Sequence, residues 1–192
     1  RLIEELRWRA LAQGFSCHVG RVLDFGVGKG QEALPAVVAT LLGLRGHESE
    51  PVRRAALGNG IDSGLIAPEH EPFIADLLDV EQRPELEALF DAMDNATRLR
   101  RTAEAVAAVA ATAARKQPQL IAFEDIHWTS PLLLGCLAAL AMATRERSLV
   151  LAMTTRFEGD PLDRNWRAAS HGTPLLAIDV GPLLPDEARV LA

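Results

Sequence analysis

The run QLIAFED, residues 119–125, constrains this chain more than any other stretch. Pro118 stops the helical pattern before it, four apolar residues follow without a polar interruption, and two acids, Glu124 and Asp125, close it. A strand with one wet face alternates apolar and polar residues, whereas an unbroken run needs cover on both faces, as in a parallel sheet with helices above and below. SLVLAMTTRFEGD, residues 148–160, repeats the pattern and ends in Thr154-Thr155-Arg156. FSCHVGRVLDF, residues 15–25, supplies a shorter extended segment, and TPLLAIDVGPL, residues 173–183, reads as a further buried strand.

Helical patterns separate these runs. RLIEELRWRALAQG sets Leu2, Ile3, Leu6 and Ala10 near one face, with Gly14 where a left-handed C-terminal cap falls. A helix is expected over about 32–44, burying Leu34, Val37, Val38, Leu41 and Leu42. Residues 45–96 break into short helical patterns, PELEALFDAM the clearest, and read as a helical insertion without a strong strand. NATRLRRTAEAVAAVAATAARKQ makes a long helix, with Asn95 or Thr97 as its cap and Leu99, Ala103, Val106, Ala110 and Ala113 along one face. SPLLLGCLAALAMATRERS begins with a capping Ser130 and Pro131 at the first helical position. LPDEARVLA, residues 184–192, opens a last helix. Strands alternating with helices predict an α/β fold, a doubly wound parallel sheet in a three-layer sandwich.

Composition narrows the function. The 192 residues are 48% hydrophobic and 24% charged, enough for one sizeable core. A formal net charge of −6 argues against direct nucleic-acid binding, which needs a basic face. Cys17 and Cys136 form no close-spaced pair, and the five histidines, His18, His47, His70, His127 and His171, show no metal-motif spacing. No apolar run reaches the roughly 18 residues of a membrane span, and the start carries no signal-peptide pattern, so a cytoplasmic setting without membrane contact is expected. The chain opens at Arg1 inside a helical pattern, without an initiator methionine, and is expected to be a piece of a longer protein.

LDFGVGKGQEAL, residues 23–34, imitates a phosphate-binding loop. The loop pattern is Gly, four residues, Gly-Lys, then Ser or Thr, because backbone N–H groups wrap the phosphates and the hydroxyl reaches Mg²⁺. Counted back from Gly28-Lys29, the first glycine position holds Leu23 and the hydroxyl position holds Gly30. The stretch is therefore read as a glycine-rich turn, with Lys29 a solvated turn residue.

Chemistry is expected at the carboxyl ends of the strands, where open α/β sheets bind ligands. Glu124 and Asp125 end a buried strand, a costly place for two carboxylates without a cation or polar partner. One acid can hold Mg²⁺ through its water shell while the other orients an attacking water. The alternative is a strand running out into a solvated loop. Thr154, Thr155 and Arg156 offer two hydroxyls and a guanidinium, and an arginine fork matches phosphate oxygens. Taken alone, Arg156 also reads as an ordinary surface ion-pair residue.

QPQLIAFEDIHWTSPLLLGCLAALA resembles the Walker B strand and following helix in the signal-transduction branch of AAA-type P-loop ATPases. LVLAMTTRFEGDPLDRNWR resembles that family's next strand with its sensor Thr-Thr-Arg, and LLAIDVGPLLPDEARVLA the entry to its helical lid, here at about 183–192. CHVGRVLDFGVGKGQEALPAVVATLLGL is similar to the second strand and helix of the ATPase module in bacterial regulators that carry a cyclase domain and tetratricopeptide repeats. The resemblance covers most of residues 1–192, least of all the 45–96 insertion. It implies a P-loop NTPase-like fold whose phosphate loop precedes Arg1, with ATP or ADP and Mg²⁺ as ligands. It also implies a Mg²⁺–water role for Glu124, a water-orienting catalytic role for Asp125, and γ-phosphate sensing by Thr155 and Arg156.

The implied activity is a slow ATPase acting as a regulatory switch, since the Glu-Asp order shortens the catalytic side chain relative to the Asp-Glu of many such enzymes. The implied partners are nucleotide, neighbouring cyclase or DNA-binding domains, tetratricopeptide repeats, and further copies in nucleotide-dependent self-association. The alternative is a non-hydrolysing interaction scaffold that retains the fold. Just past the acids, Trp128 is expected to pack between the loop and the next helix, with His127 as its satisfied polar neighbour; direct ligand contact is the alternative for the pair. Trp8 and Trp166 are expected to serve packing or an interface.

Overall fold

The computed structural model describes residues 1–23 and 33–181. The glycine-rich turn with Lys29 and the expected start of the lid lie outside the described residues.

The first helix, α1 (Leu2–Ala12), closes as expected on a left-handed glycine, Gly14, at φ +82°. It leads into β1 (Ser16–Arg21) and then α2 (Ala33–Leu41). Residues 45–96 contain helices alone: α3 (Glu50–Asp62), a 3-10 turn (Pro68–His70), α4 (Glu71–Leu77) and α5 (Pro84–Asp91). The long α6 (Asn95–Ala113) feeds β2 (Gln119–Glu124), and α7 (Pro131–Thr144) connects it to β3 (Leu149–Met153) before the short α8 (Arg164–Ala169).

Among the described residues the sheet has three strands in the order β1-β2-β3, all parallel. β2 is central, and every residue from Gln119 to Phe123 is buried, as the unbroken apolar run requires. Ile121, Phe123 and Leu149 join one core with Val37 and Val38 of α2, Val106 and Val109 of α6, and Leu137 and Leu140 of α7. By strand alternation Leu120 and Ala122 turn to the other face, where α1 lies against β1 and β2. Helices on both faces of a parallel sheet make an α/β sandwich, the arrangement the strand runs predict.

Three expectations are corrected. Residues 173–181 form no strand: Leu176, Ile178 and Val180 are 83%, 74% and 69% exposed. An apolar extended stretch becomes a strand only by pairing, and this one does not join the edge of β3. The cap of α6 is Asp94, whose Oδ1 accepts from Thr97 N (2.8 Å) and Oδ2 from Thr97 Oγ1 (2.9 Å). Asn95 is already inside the first turn, too late to cap it. On α1 only Ile3 is buried, while Leu2 and Leu6 are exposed, because among the described residues only one edge of the helix meets the sheet. By contrast, Ser130 caps α7 as expected, accepting from Leu133 N at 3.2 Å behind Pro131.

Two interior details of β1 carry predictions. Gly20 is a close-approach glycine: a Cβ there would lie 2.5 Å from the backbone oxygen of Ala33 and 3.1 Å from Phe123 Cδ1. The oxygen opens α2 and cannot swing aside, so Gly20→Ala is expected to destabilise the fold by about 1–3 kcal/mol, read from the urea midpoint.

His18 is buried between α2 and β2. Gln119 Nε2 donates to Gln117 O (2.7 Å), which turns its Oε1 to His18 Nε2 at 2.9 Å. Thr40 Oγ1 lies 2.9 Å from both His18 Nδ1 and Val37 O, and its one proton serves one of them at a time. Burial pushes the His18 pKa down, only partly offset by the Gln119 bond, so the fold favours neutral imidazole. This contribution is whole above the ordinary value of about 6.5 and is lost as pH falls from there toward the depressed value. The urea midpoint is therefore expected to drop between neutral and mildly acidic pH, and to drop less in His18→Gln.

Candidate functional site

β2 delivers Glu124 to the sheet's carboxyl edge because its apolar residues are spent on the core and the strand must end where polarity begins. The parallel register sets Arg21, the last residue of β1, beside Glu124. Arg21 Nε and Nη2 both meet Glu124 Oε2 at 2.8 Å. The glutamate side chain is only 12% exposed and the arginine 64%. With one partner well solvated, such a pair contributes about 1 kcal/mol or less. Its hydrogen bond and charge raise the Arg21 pKa further, and Asp125 and Glu4 add smaller pulls in the same direction. Two acids at the end of a buried strand call for a cation, and in this structure Arg21 is that cation.

Past Glu124 the chain turns sharply. Asp125 is left-handed, at φ 60° and ψ 42°, a conformation that aspartate and asparagine tolerate better than most residues. Thr154, just past the end of β3, holds this turn through three bonds. Its N–H donates to Phe123 O (3.0 Å), its Oγ1 accepts from Asp125 N (3.1 Å) and its carbonyl accepts from Ile126 N (2.9 Å). The Asp125 carboxylate faces outward, and Ile126, fully buried, anchors the 3-10 turn Ile126–Trp128 that leads to α7.

The sequence-predicted residues thus share one edge of the sheet but not one set of contacts. Glu124 and Asp125 end β2, and Thr155 and Arg156 follow the neighbouring strand, both exposed. Thr155 Oγ1 donates to the Arg156 carbonyl at 3.2 Å, so Thr154, and not Thr155, engages the acid turn. Arg156 makes no side-chain ion pair among the described residues, which leaves its guanidinium available to an anion. Arg21 is the residue that sequence reasoning missed. Its signal was the demand of the acids for a cation, but the partner depends on strand register across some hundred residues.

His127 corrects a further expectation. Its ring lies 4.9 Å from Trp128 at a tilt of 46°, and Trp128 packs on the core as expected, yet both His127 ring nitrogens are buried without a hydrogen-bond partner among the described residues. Among the described residues no donor or acceptor reaches either nitrogen. Trp166 is buried and donates from Nε1 to Leu134 O (3.2 Å), a packing role, while Trp8 is exposed.

An open cavity of about 420 Å³ lies elsewhere, between α2 and α3, lined by Leu41, Leu44, Val52, Asn59 and neighbours. It holds no ionisable side chain, whereas a smaller cavity of about 210 Å³ beside α3 and α5 is lined by Arg54, Glu71, Glu81 and Arg83. No cluster of three or more potential metal ligands occurs among the described residues, and none of their helices is long and apolar enough to cross a membrane. The donor set nevertheless suits Mg²⁺, which keeps several waters and binds through one or two carboxylates plus phosphate oxygens. Glu124 Oε1 is unpaired among the described residues, and Asp125 lies next to it. In comparisons with protein-family models, curated proteins and solved structures, the chain gives no match.

Proposed function

We propose that this chain forms the sheet and acid loop of an ATP-binding regulatory switch that hydrolyses ATP slowly. The observation that carries the reading is the shared edge: two acids at the tip of the central parallel strand, tied by Thr154 to the next strand, with Arg156, which has no ion pair among the described residues, two residues further on. Magnesium, when bound, would neutralise phosphate charge. Glu124 would hold it through water, Asp125 would orient a water for attack, and Arg156 would meet phosphate oxygens beside Thr155. Regulation would follow if bound nucleotide changed how this edge packs against neighbouring domains, which the sequence resemblance identifies as a cyclase or DNA-binding domain and tetratricopeptide repeats.

A second reading, a scaffold that keeps the fold without turnover, is favoured by one observation. Arg21 already pairs with Glu124, so that acid has a counter-ion without metal.

The reading needs a phosphate loop ahead of Arg1. The 192-residue chain alone is therefore expected to bind ATP poorly, for want of the backbone N–H groups that hold phosphates. Equilibrium titration with ATP or a fluorescent analogue checks this: saturation at millimolar or lower nucleotide in the isolated chain contradicts it. In protein that includes the preceding segment, tight binding with Mg²⁺ and weakened binding in Glu124→Gln support the switch. Binding that is indifferent to Mg²⁺ and to Glu124 leaves the scaffold.

A further inference from the structure

The Arg21–Glu124 pair has features a purely structural ion pair does not need. It sits at the tips of two strands whose register and core are already fixed by the backbone ladder and by Phe123. Both arginine nitrogens crowd one oxygen, Oε2, and leave Oε1 without a protein partner among the described residues. The guanidinium is mostly solvated, and Glu124 is its one ion-pair partner among the described residues. An exposed arginine held by a single carboxylate oxygen is weakly held and free to leave.

We infer that Arg21 is an exchangeable counter-ion of Glu124, and that a divalent cation enters this site by displacing it. This rests on the reading of Glu124 as the metal-side acid. A guanidinium on Oε2 opposes a dication at the same carboxylate by competing for the oxygen and by like-charge repulsion. Arg21 thereby sets the cation concentration at which the site fills: the acid stays paired at low cation and opens when cation, alone or with a nucleotide, outcompetes the arginine. Arg21 acts through Glu124 and is a positioning residue. No bond is made or broken in the exchange, and the released guanidinium, already 64% exposed, stays solvated.

The test uses Mn²⁺ as a paramagnetic probe and follows broadening of the backbone amides of Val22 and of residues 124–126 during titration. Arg21→Met keeps the aliphatic stem and removes the charge. It is expected to show broadening at about fivefold lower Mn²⁺ than the unmodified protein, in line with the modest strength of solvated pairs. Arg21→Lys, which restores a cation, is expected to return the threshold toward the original, and Arg21→Met with Glu124→Gln to lose the local broadening. Equal thresholds with and without the arginine charge, a higher threshold in Arg21→Met, or no broadening at Glu124 in that variant overturns the inference. If Arg21→Met does not fold, Arg21→Gln serves as the charge-free variant, with the same outcomes.

Repeating the titrations with ADP separates this inference from the nucleotide reading, in protein that carries the segment ahead of Arg1. Thresholds that differ between variants but ignore ADP uphold the exchange and count against the nucleotide site. Thresholds that are the same in both variants and fall with ADP do the reverse.

Discussion

Phe123→Ala is expected to lower stability by about 3–5 kcal/mol, the cost of emptying a large aromatic from a well-packed core. Phe123 is fully buried on the central strand, paired in register with Gly20 on one side and Met153 on the other. Its ring packs where β1 gives up a side chain altogether, since Cδ1 lies 3.1 Å from the position a Gly20 Cβ would take. Nothing nearby can collapse cheaply into the space, because the facing positions belong to α2 and α7, which are tied into the same core. Urea unfolding monitored by circular dichroism measures the loss. Val150→Ala, on the exposed face of β3, is the control and is expected to cost under about 1 kcal/mol. Equal effects from the two would contradict the placement of the core.

Removing the charge of Asp125 or Glu124 is expected to lower ATP turnover by about a hundredfold or more, in protein that carries the phosphate loop, on the scale of lost proton-transfer and water-orienting groups. The two substitutions act differently. Asp125→Asn keeps a residue type at ease in the left-handed conformation, so the turn held by Thr154 survives and the change falls on the carboxylate. Glu124→Gln keeps the shape of the strand end but no longer pairs ionically with Arg21 or attracts a cation. Asp125→Asn is thus expected to reduce turnover with nucleotide affinity retained, whereas Glu124→Gln reduces Mg²⁺-dependent affinity as well. Steady-state phosphate release beside equilibrium binding separates them. Turnover unchanged in both variants removes the catalytic assignment and leaves the scaffold.

Much of the fold was legible because local pattern and long-range need coincide. The unbroken Leu120–Phe123 run could only be satisfied between two helical layers, and Pro118, Ser130 and Pro131 mark the ends of its neighbouring helices in residue types with fixed backbone preferences. The irregular 45–96 stretch was legible as helical for the same local reasons. Residues 173–181 misled because alternation of Leu176, Ile178 and Val180 signals a willing strand but not the presence of a partner. Asp94 was overlooked because three polar residues, Asp94, Asn95 and Thr97, compete at one helix start, and only backbone geometry decides which accepts.

The site was half legible. That polar chemistry gathers at the ends of β2 and β3 follows from where apolar runs stop. That Arg21 meets Glu124, and that Thr154 holds the Asp125 turn, depends on strand register, which no local pattern encodes.

The most direct measurement is a map of backbone amide shifts on addition of ADP with Mg²⁺ to protein that includes the segment ahead of Arg1. A nucleotide held at the carboxyl edge of the sheet predicts the largest shifts at residues 124–126 and 154–156, reduced in Glu124→Gln. Shifts confined to the cavity between α2 and α3, or none at the strand ends, would contradict it.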